Sequence, residues 1–412
     1  MNNSTPAGNF YGLGIAPGLL QVIEKLKFTT PTPIQAKAIP IAIEGKDLIG
    51  IAQTGAGKTL AFCVPMLMRL ARNRNRGLVL APTRELAIQI NETFVKFAAA
   101  SGLESVVLIG GESMTKQITA LRRRPRIVIA TPGRLLDHIG QHRARLDDVS
   151  VLVLDEADRM LDMGFAPQID RIIRLIPRDR QTMLFSATMP TAIVKMASAN
   201  MRLPVRTEIA PTGTTAEKVS QEIFIVKSDW KERLLVKILA QYQGPVLLFT
   251  RTKRGAKKIT RCLRQQEYAA AEIHADRSLS QRKEALSGFK AGRYRILAAT
   301  DIAARGIDVT GIQLVINYDL PDDPENYVHR IGRTGRAGLA GHAISFATPD
   351  QKSDVHAIEK IIRATIPTSQ HPEMPAEQFA ASAPPARSGR GFRGAPARRG
   401  FGRYGHPRRS FR

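Results

Sequence analysis

The sequence predicts an α/β protein of two tandem parallel-sheet domains followed by a disordered basic C-terminal tail. Three observations lead there. Short all-apolar runs alternate with amphipathic stretches of helix length, the alternation breaks near residue 210, and it stops after residue 366. Apolar runs of about four residues suit strands covered on both faces, and their alternation with helices suits parallel crossovers. A length of 412 residues also exceeds what one hydrophobic core ordinarily organises.

In the first part, Leu48–Ile51, Leu78–Leu80, Val106–Ile109, Ile127–Ile129, Val151–Leu154 and Thr182–Phe185 read as buried strands. The stretch Ala210-Pro211-Thr212-Gly213-Thr214-Thr215 has turn chemistry and no apolar period, as expected of a linker. The pattern resumes with Ile223–Val226, Val246–Phe249, Ala270–Ile273, Ile296–Ala299, Leu314–Ile316 and Ala343–Phe346. Domains are therefore expected at 1–208 and 218–366, joined by a linker at 209–217. Residues 367–412 are rich in Pro, Ala, Gly and Arg, and are expected to be disordered because they bury too little surface to offset chain entropy.

The formal net charge is +25. Residues 1–217 carry 27 basic and 18 acidic side chains, 218–366 carry 25 and 16, and 367–412 carry nine and two. Basicity in every segment predicts a polyanion held along the whole molecule, since solubility needs only a handful of net charges. Cys63 and Cys262 form no disulfide framework or zinc motif, which fits a reducing compartment. The sequence shows no secretory leader and no apolar run near the ~20 residues of a membrane span, so a cytoplasmic protein without membrane contact is expected.

Two stretches carry chemistry. Ala52-Gln53-Thr54-Gly55-Ala56-Gly57-Lys58-Thr59 follows a strand and reads as a phosphate loop. Backbone amides around Thr54, Gly55, Ala56 and Gly57 would close on phosphates, Lys58 would reach the β- and γ-phosphates, and Thr59 would ligate Mg2+. Asp155-Glu156-Ala157-Asp158 ends the apolar run Val151–Leu154, at the sheet edge where ligands gather. Asp155 would hold the magnesium, partly through water, and Glu156 would act as base for an attacking water. Together they predict a hydrolase of a nucleoside triphosphate with Mg2+.

Asp155-Glu156-Ala157-Asp158 with Ser186-Ala187-Thr188 resembles the DEAD-box family of ATP-dependent RNA helicases, and the resemblance covers about residues 10–350. It implies two RecA-like domains and RNA-stimulated ATP hydrolysis, coupled to domain closure and local unwinding of short duplexes or RNA–protein remodelling. Phe28 and Gln35 resemble the element that reads adenine, with Phe10 as its upstream aromatic; Lys27 stands where the family usually has glycine. Pro82, Thr83 and Arg84, Gly110 and Gly111, and Thr131, Gly133 and Arg134 resemble RNA-backbone contacts of the first domain. In the second domain Thr250, Arg251, Arg282 and Thr300 resemble RNA contacts, and Asp301 the residue near the ribose. Arg333 and Arg336 would be arginine fingers against the γ-phosphate, while Ser186 and Thr188 would couple the two sites by bonds made on closure. His274-Ala275-Asp276-Arg277-Ser278-Leu279 departs from the family, which has Gly second and often Gln last.

The run Arg159–Phe165 and the Arg/Gly tail are similar to a bacterial RhlE-like subgroup. In the tail, Arg, Gly and aromatics interleave, as suits an extra RNA tether. RNA-processing or ribosome-assembly proteins are possible partners. His138 and His142 read as exposed helix histidines rather than metal ligands, Arg122–Arg124 as a solvated run, and Trp230 as a packing residue. The rivals are a DNA helicase of the same superfamily, which a comparison of ribo- and deoxyribo-strands separates, and an RNA chaperone that anneals strands by charge.

Overall fold

The computed structural model describes residues 8–53, 55–209, 219–304, 309, 311–335 and 341–380. Thr54, Arg336, most of the expected linker and the tail from residue 381 lie outside the described residues.

A 3₁₀ turn at Phe10–Leu13 leads to α1 (Pro17–Lys25), α2 (Pro33–Ile43), β1 (Leu48–Ile51), α3 (Lys58–Ala71), β2 (Arg76–Leu80) and α4 (Arg84–Ser101). There follow β3 (Ser105–Leu108), α5 (Met114–Arg122), β4 (Ile127–Ala130), α6 (Pro132–Gly140) and β5 (Val149–Leu154). The first half closes with α7 (Ala157–Asp162), α8 (Ala166–Arg174), β6 (Gln181–Ser186), α9 (Thr191–Asn200) and β7 (Val205–Glu208).

The second half runs β8 (Val219–Ile225), α10 (Lys231–Gln241), β9 (Val246–Phe249), α11 (Lys253–Gln265), β10 (Ala270–Ile273) and α12 (Leu279–Lys290). Then come β11 (Ile296–Ala299), α13 (Asp301–Ala304), β12 (Leu314–Asn317), α14 (Glu325–Ile331), β13 (Gly341–Ala347), α15 (Lys352–Ile362) and β14 (Thr368–Ser369).

Each half forms a seven-stranded sheet, ordered β3-β4-β2-β5-β6-β1-β7 and β10-β11-β9-β12-β13-β8-β14. Numbered from its own first strand, each sheet has the same order, and every described pairing is parallel. The apolar runs explain this: β1, β4, β5, β6, β9, β10, β11 and β12 are buried at every position, which only a sheet covered on both faces allows. Each sheet has one apolar cluster on either face. The helices between are started by side-chain caps: Thr83, Ser113, Thr252 and Ser278 each accept from a backbone amide of the first turn.

The sequence pattern missed β7 and β14. Both are edge strands, and neither carries an apolar run: β7 alternates half-buried and exposed positions around Thr207, and β14 has two residues. The second correction concerns the end of the second domain. The chain does not leave the fold at 366, because Thr368 and Ser369 pair with Ile223 and Phe224 of β8. His371 and Met374 are buried, and Lys237 and Lys227 pair with Glu373 and Glu377. Packed chain continues to Phe379. Truncation after Ile366 is therefore expected to lower stability by about 2 kcal/mol relative to truncation after Ala380, chiefly through lost burial of Met374 and its neighbours. Urea denaturation of the two truncated chains measures the difference.

Candidate active site and nucleic-acid interface

β5, β6 and β1 are neighbours in the first sheet, so the turns after them meet at one carboxyl edge. The turn after β1 is the phosphate loop. Gly55 and Gly57 sit at φ 88° and 87°, where a side chain is strained, and a Cβ on Gly57 would lie 2.4 Å from Gln35 Nε2. Lys58 opens α3 and donates to the Ala52 carbonyl at 2.7 Å. The loop is braced from α2: Thr32 Oγ1 donates to Ala56 O at 2.7 Å and Gln35 Nε2 to Gly57 O at 3.0 Å. Gln35 Oε1 also accepts from Thr32 N at 2.9 Å, closing a capping box. Gln35 thus braces the loop through both its side-chain oxygen and its nitrogen. Phe28 is 47% exposed, and Lys27 before it takes φ 60°, the left-handed turn for which glycine is suited.

After β5 the chain makes a strained corner, with Glu156 at φ 49° and ψ 52°. Asp155 is buried, and that burial pushes its carboxyl up to about 7, with Lys58 opposing and Glu156 adding to the shift. Asp158 is buried too, yet Lys58 and the amides of Thr188 and Arg159 outweigh burial and hold it below the usual range. Its Oδ2 accepts from Ala187 N, Thr188 N and Thr188 Oγ1 at 3.0, 2.9 and 3.0 Å, and its amide donates to Ser186 Oγ at 3.3 Å. The described bonds of Ser186 and Thr188 are therefore made within the first sheet. They lock the turns after β5 and β6 together.

Phe28, Gln35, Gly55, Gly57, Lys58, Thr59, Asp155 and Glu156 line one cavity of about 390 Å3, and Arg333 of the second sheet lines it with them. Arg333 follows α14, which is anchored by Arg330. That guanidinium is 2% exposed, grips both oxygens of Asp301 at 2.6 and 2.7 Å, donates to Asn317 and Asp319 O, and lies over the Phe249 ring. Asp301 accordingly does not line the nucleotide-sized cavity; it borders a neighbouring hollow with Arg330 and Asn326.

The expected RNA contacts lie on the carboxyl edges of both sheets, but several are already committed. Arg84 lies across Gly110 and Gly111, where a Cβ on Gly111 would meet Nη1 at 2.3 Å. Thr83 follows Pro82 and caps α4. Thr131 starts α6; within it Gly133 has open space around it, and Arg134 donates to Glu112 O at 3.4 Å. Thr250 is buried and bonded to Thr252 O, Arg251 pairs with Asp322 at 3.1 Å, and Thr300 follows β11 directly. Arg282 is the clearest departure: it is buried against Glu85 of the first sheet at 2.8 Å rather than offered to solvent. Lys283–Glu112 at 3.1 Å and Arg159–Asn326 at 2.8 Å also cross between the sheets, and Leu279 is buried in the first sheet's apolar cluster.

Glu85, Arg159 and Arg330 were missed as functional positions; only their places inside motif-like runs could have marked them. His138 is another correction. It is fully buried, its Nε2 meets Gln117 Oε1 at 3.0 Å, and burial lowers its pKa. Gln117 in turn donates to Ile109 O at 2.8 Å, beside Gly110. Among the described residues no group of His, Cys, Asp and Glu is arranged to hold a metal by itself, and no helix is long and apolar enough to cross a membrane.

A phosphate loop on one sheet, completed by an arginine from a second sheet of identical topology, defines a RecA-like tandem nucleotide hydrolase. The DEAD/DEAH box helicase family model matches residues 32–196, and the helicase conserved C-terminal domain matches 230–338. The chain is 43% identical over 368 residues to the ATP-dependent rRNA helicase RRP3 of Debaryomyces hansenii, covering 88% of this chain and 77% of that one. The structure resembles S. cerevisiae Dbp5 bound to RNA and ADP BeF3, with TM-score 0.79 and 30% identity over 88% of this chain and 95% of that one. It also resembles Mss116p bound to ssRNA and AMP-PNP, with TM-score 0.83 and 26% identity over 90% and 82%. The chain belongs to the DEAD/DEAH box helicase family and is an ATP-dependent RNA helicase. The RhlE-like subgroup expected from Arg159–Phe165 finds no support in these relatives.

The raised Asp155 sets a pH dependence. A carboxyl whose folded pKa is about 7, against an ordinary 3.8, contributes stability at low pH that is lost as pH rises toward 7. Without nucleotide, Asp155→Asn is expected to gain on the parent protein across that window, by up to about 1.4 kcal/mol per pH unit, and to level off above it. Urea midpoints of both proteins at a series of pH values test this.

Proposed function

We propose that ATP hydrolysis is carried out at the cavity shared by the two sheets, and that RNA laid along both carboxyl edges completes it. The observation that carries this reading is Arg333, which comes from the second sheet and lines the same cavity as Lys58, Asp155 and Glu156. Phe28 stacks on adenine, and Gln35 bonds its edge with the capacity left from bracing the loop. Lys58 binds the β- and γ-phosphates.

Thr59 and Asp155 would hold Mg2+ together with water. The donors fit a hard cation: both are oxygens in one cavity, and the ionised form of Asp155, which burial and the neighbouring Glu156 charge disfavour, would be favoured by a cation there. When bound, the ion neutralises charge on the β- and γ-phosphate oxygens. Glu156 accepts the proton of the attacking water as the new bond to the γ-phosphorus forms, and the bond to the bridging oxygen breaks to leave ADP. Arg333, with Arg336, stabilises the charge on the transferring phosphoryl group.

Backbone contacts from Arg84, Gly110–Gly111, Thr131–Arg134 and Thr250–Arg251 hold one RNA strand without reading bases. Bending that strand frees its partner locally. The rRNA helicases among the relatives support structured ribosomal RNA as the substrate class and ribosome-assembly proteins as partners. Two unpaired cysteines support a reducing, cytoplasmic setting.

Arg333→Ala is expected to lower RNA-stimulated hydrolysis by roughly 10³–10⁵, with nucleotide affinity little changed. Phosphate release measured alongside fluorescent-nucleotide binding tests this. A variant that hydrolyses at the parent rate would overturn the shared site.

A further inference from the structure

Helix α11 is unusual in what it exposes. Six of its residues, Lys253, Arg254, Lys257, Lys258, Arg261 and Arg264, are basic and exposed, and none is acidic. The opposite face, Ala256, Ile259, Thr260 and Leu263, is buried against the sheet. Lys253 pairs with Asp276 at 2.8 Å and Lys258 with Glu232, while Arg264 Nε donates to Ala270 O. Arg254, Lys257 and Arg261 form no ion pair with any described carboxylate. At spacings of three and four they share one face and span about 10 Å.

These charges work against the helix that carries them. Lys253 and Arg254 occupy the first turn, where the macrodipole is positive and no acidic residue compensates. Lys253–Lys257, Arg254–Lys258 and Lys257–Arg261 are like-charge pairs four apart, each destabilising. Helix stability therefore does not account for the stripe, but an external polyanion does. The stripe also starts at the right place: α11 follows Thr250 and Arg251 directly. The helix packs with α10 on one face of the second sheet, while α12 and α14, which reach the first sheet, pack on the other. It leads away from the interdomain cleft along the outside of the molecule.

We propose that Arg254, Lys257 and Arg261 bind the phosphates of single-stranded RNA that flanks the segment held in the cleft, guiding the strand along α11. This rests on the reading of Thr250–Arg251 as part of the RNA track, and gives the enzyme a grip on RNA longer than its core site.

The test compares the full chain with its Arg254→Gln/Lys257→Gln/Arg261→Gln variant in RNA-stimulated ATPase assays. Three substrates are used: the shortest strand that stimulates fully, that strand with an unpaired extension at either end, and the extended strand with its extension paired to a complement. The half-saturating concentration of the short strand is expected to be the same for both proteins. For one of the unpaired extensions it should rise at least about tenfold in the variant at 50 mM salt, and the slope of log affinity against log salt should flatten by about 2, or 0.7 for each of three contacts. The melting temperature should not fall, because like-charge repulsion is relieved. Equal effects on short and extended strands, or none on either, would overturn the proposal. An effect confined to the paired extension would overturn the single-strand assignment in favour of a duplex. Absence of RNA stimulation in the parent chain is a different result, and would count against the proposed function itself.

Discussion

The arrangement rests on one buried ion pair between sheets, Glu85 on α4 and Arg282 on α12. Their nearest atoms are 2.8 Å apart and both residues are less than a tenth exposed, yet neither Glu85 oxygen is aligned for a hydrogen bond. Burial pushes the Glu85 carboxyl up and the Arg282 guanidinium down, each opposed by the other's charge. Such a pair is costly to desolvate and strongly destabilising when one partner is removed, so it specifies the docked arrangement more than it stabilises it. Among the described residues two further links cross between the sheets: the exposed Lys283–Glu112 pair is worth little, and Arg159–Asn326 is a single hydrogen bond. Leu279 adds an apolar contact. Ligands that touch both sheets, as ATP and RNA do in the proposed function, would bias the equilibrium toward the docked arrangement.

Strain within the first sheet serves the same end. Glu156 is held left-handed between two anchors, the fully buried β5 before it and Asp158 bonded to the Ser186–Thr188 turn after it. A corner so constrained fixes the backbone at Glu156 from within the first sheet. The phosphate loop is held likewise, its carbonyls tied to Thr32 and Gln35. Arg330 does this work in the second sheet, locking α14 to Asp301, Asn317 and Asp319 O so that Arg333 has a rigid base. Each half is thus rigid on its own side, which is what a switch between docked and separated halves requires.

Much of this was legible in the sequence, for a physical reason. A strand covered on both faces must be apolar throughout, so β1, β5, β9 and β12 declare themselves. Edge strands such as β7 and β14 need no such run, and the fold extends past 366 on a few contacts, Met374 and His371 among them, that have no period. The phosphate loop and Asp155–Glu156 were readable because their chemistry is local. Pairings across distance were not: that Arg282 meets Glu85, that Asp301 belongs to Arg330, and that His138 turns inward to Gln117 depend on how helices face one another. Gln35 shows both limits, for its capping box is local while its bond to Gly57 is not.

In the proposed function, closure is a joint effect of nucleotide and RNA. Energy transfer between dyes at Val95 and Ile361, exposed positions on α4 and α15, reports the distance between the sheets once Cys63 and Cys262 are replaced by serine. High-transfer closure is expected only when a non-hydrolysable ATP analogue and RNA are present together, with a weakened closed state in Glu85→Gln. Full closure with either ligand alone, or hydrolysis proceeding while transfer stays at its open value, would contradict the proposed function.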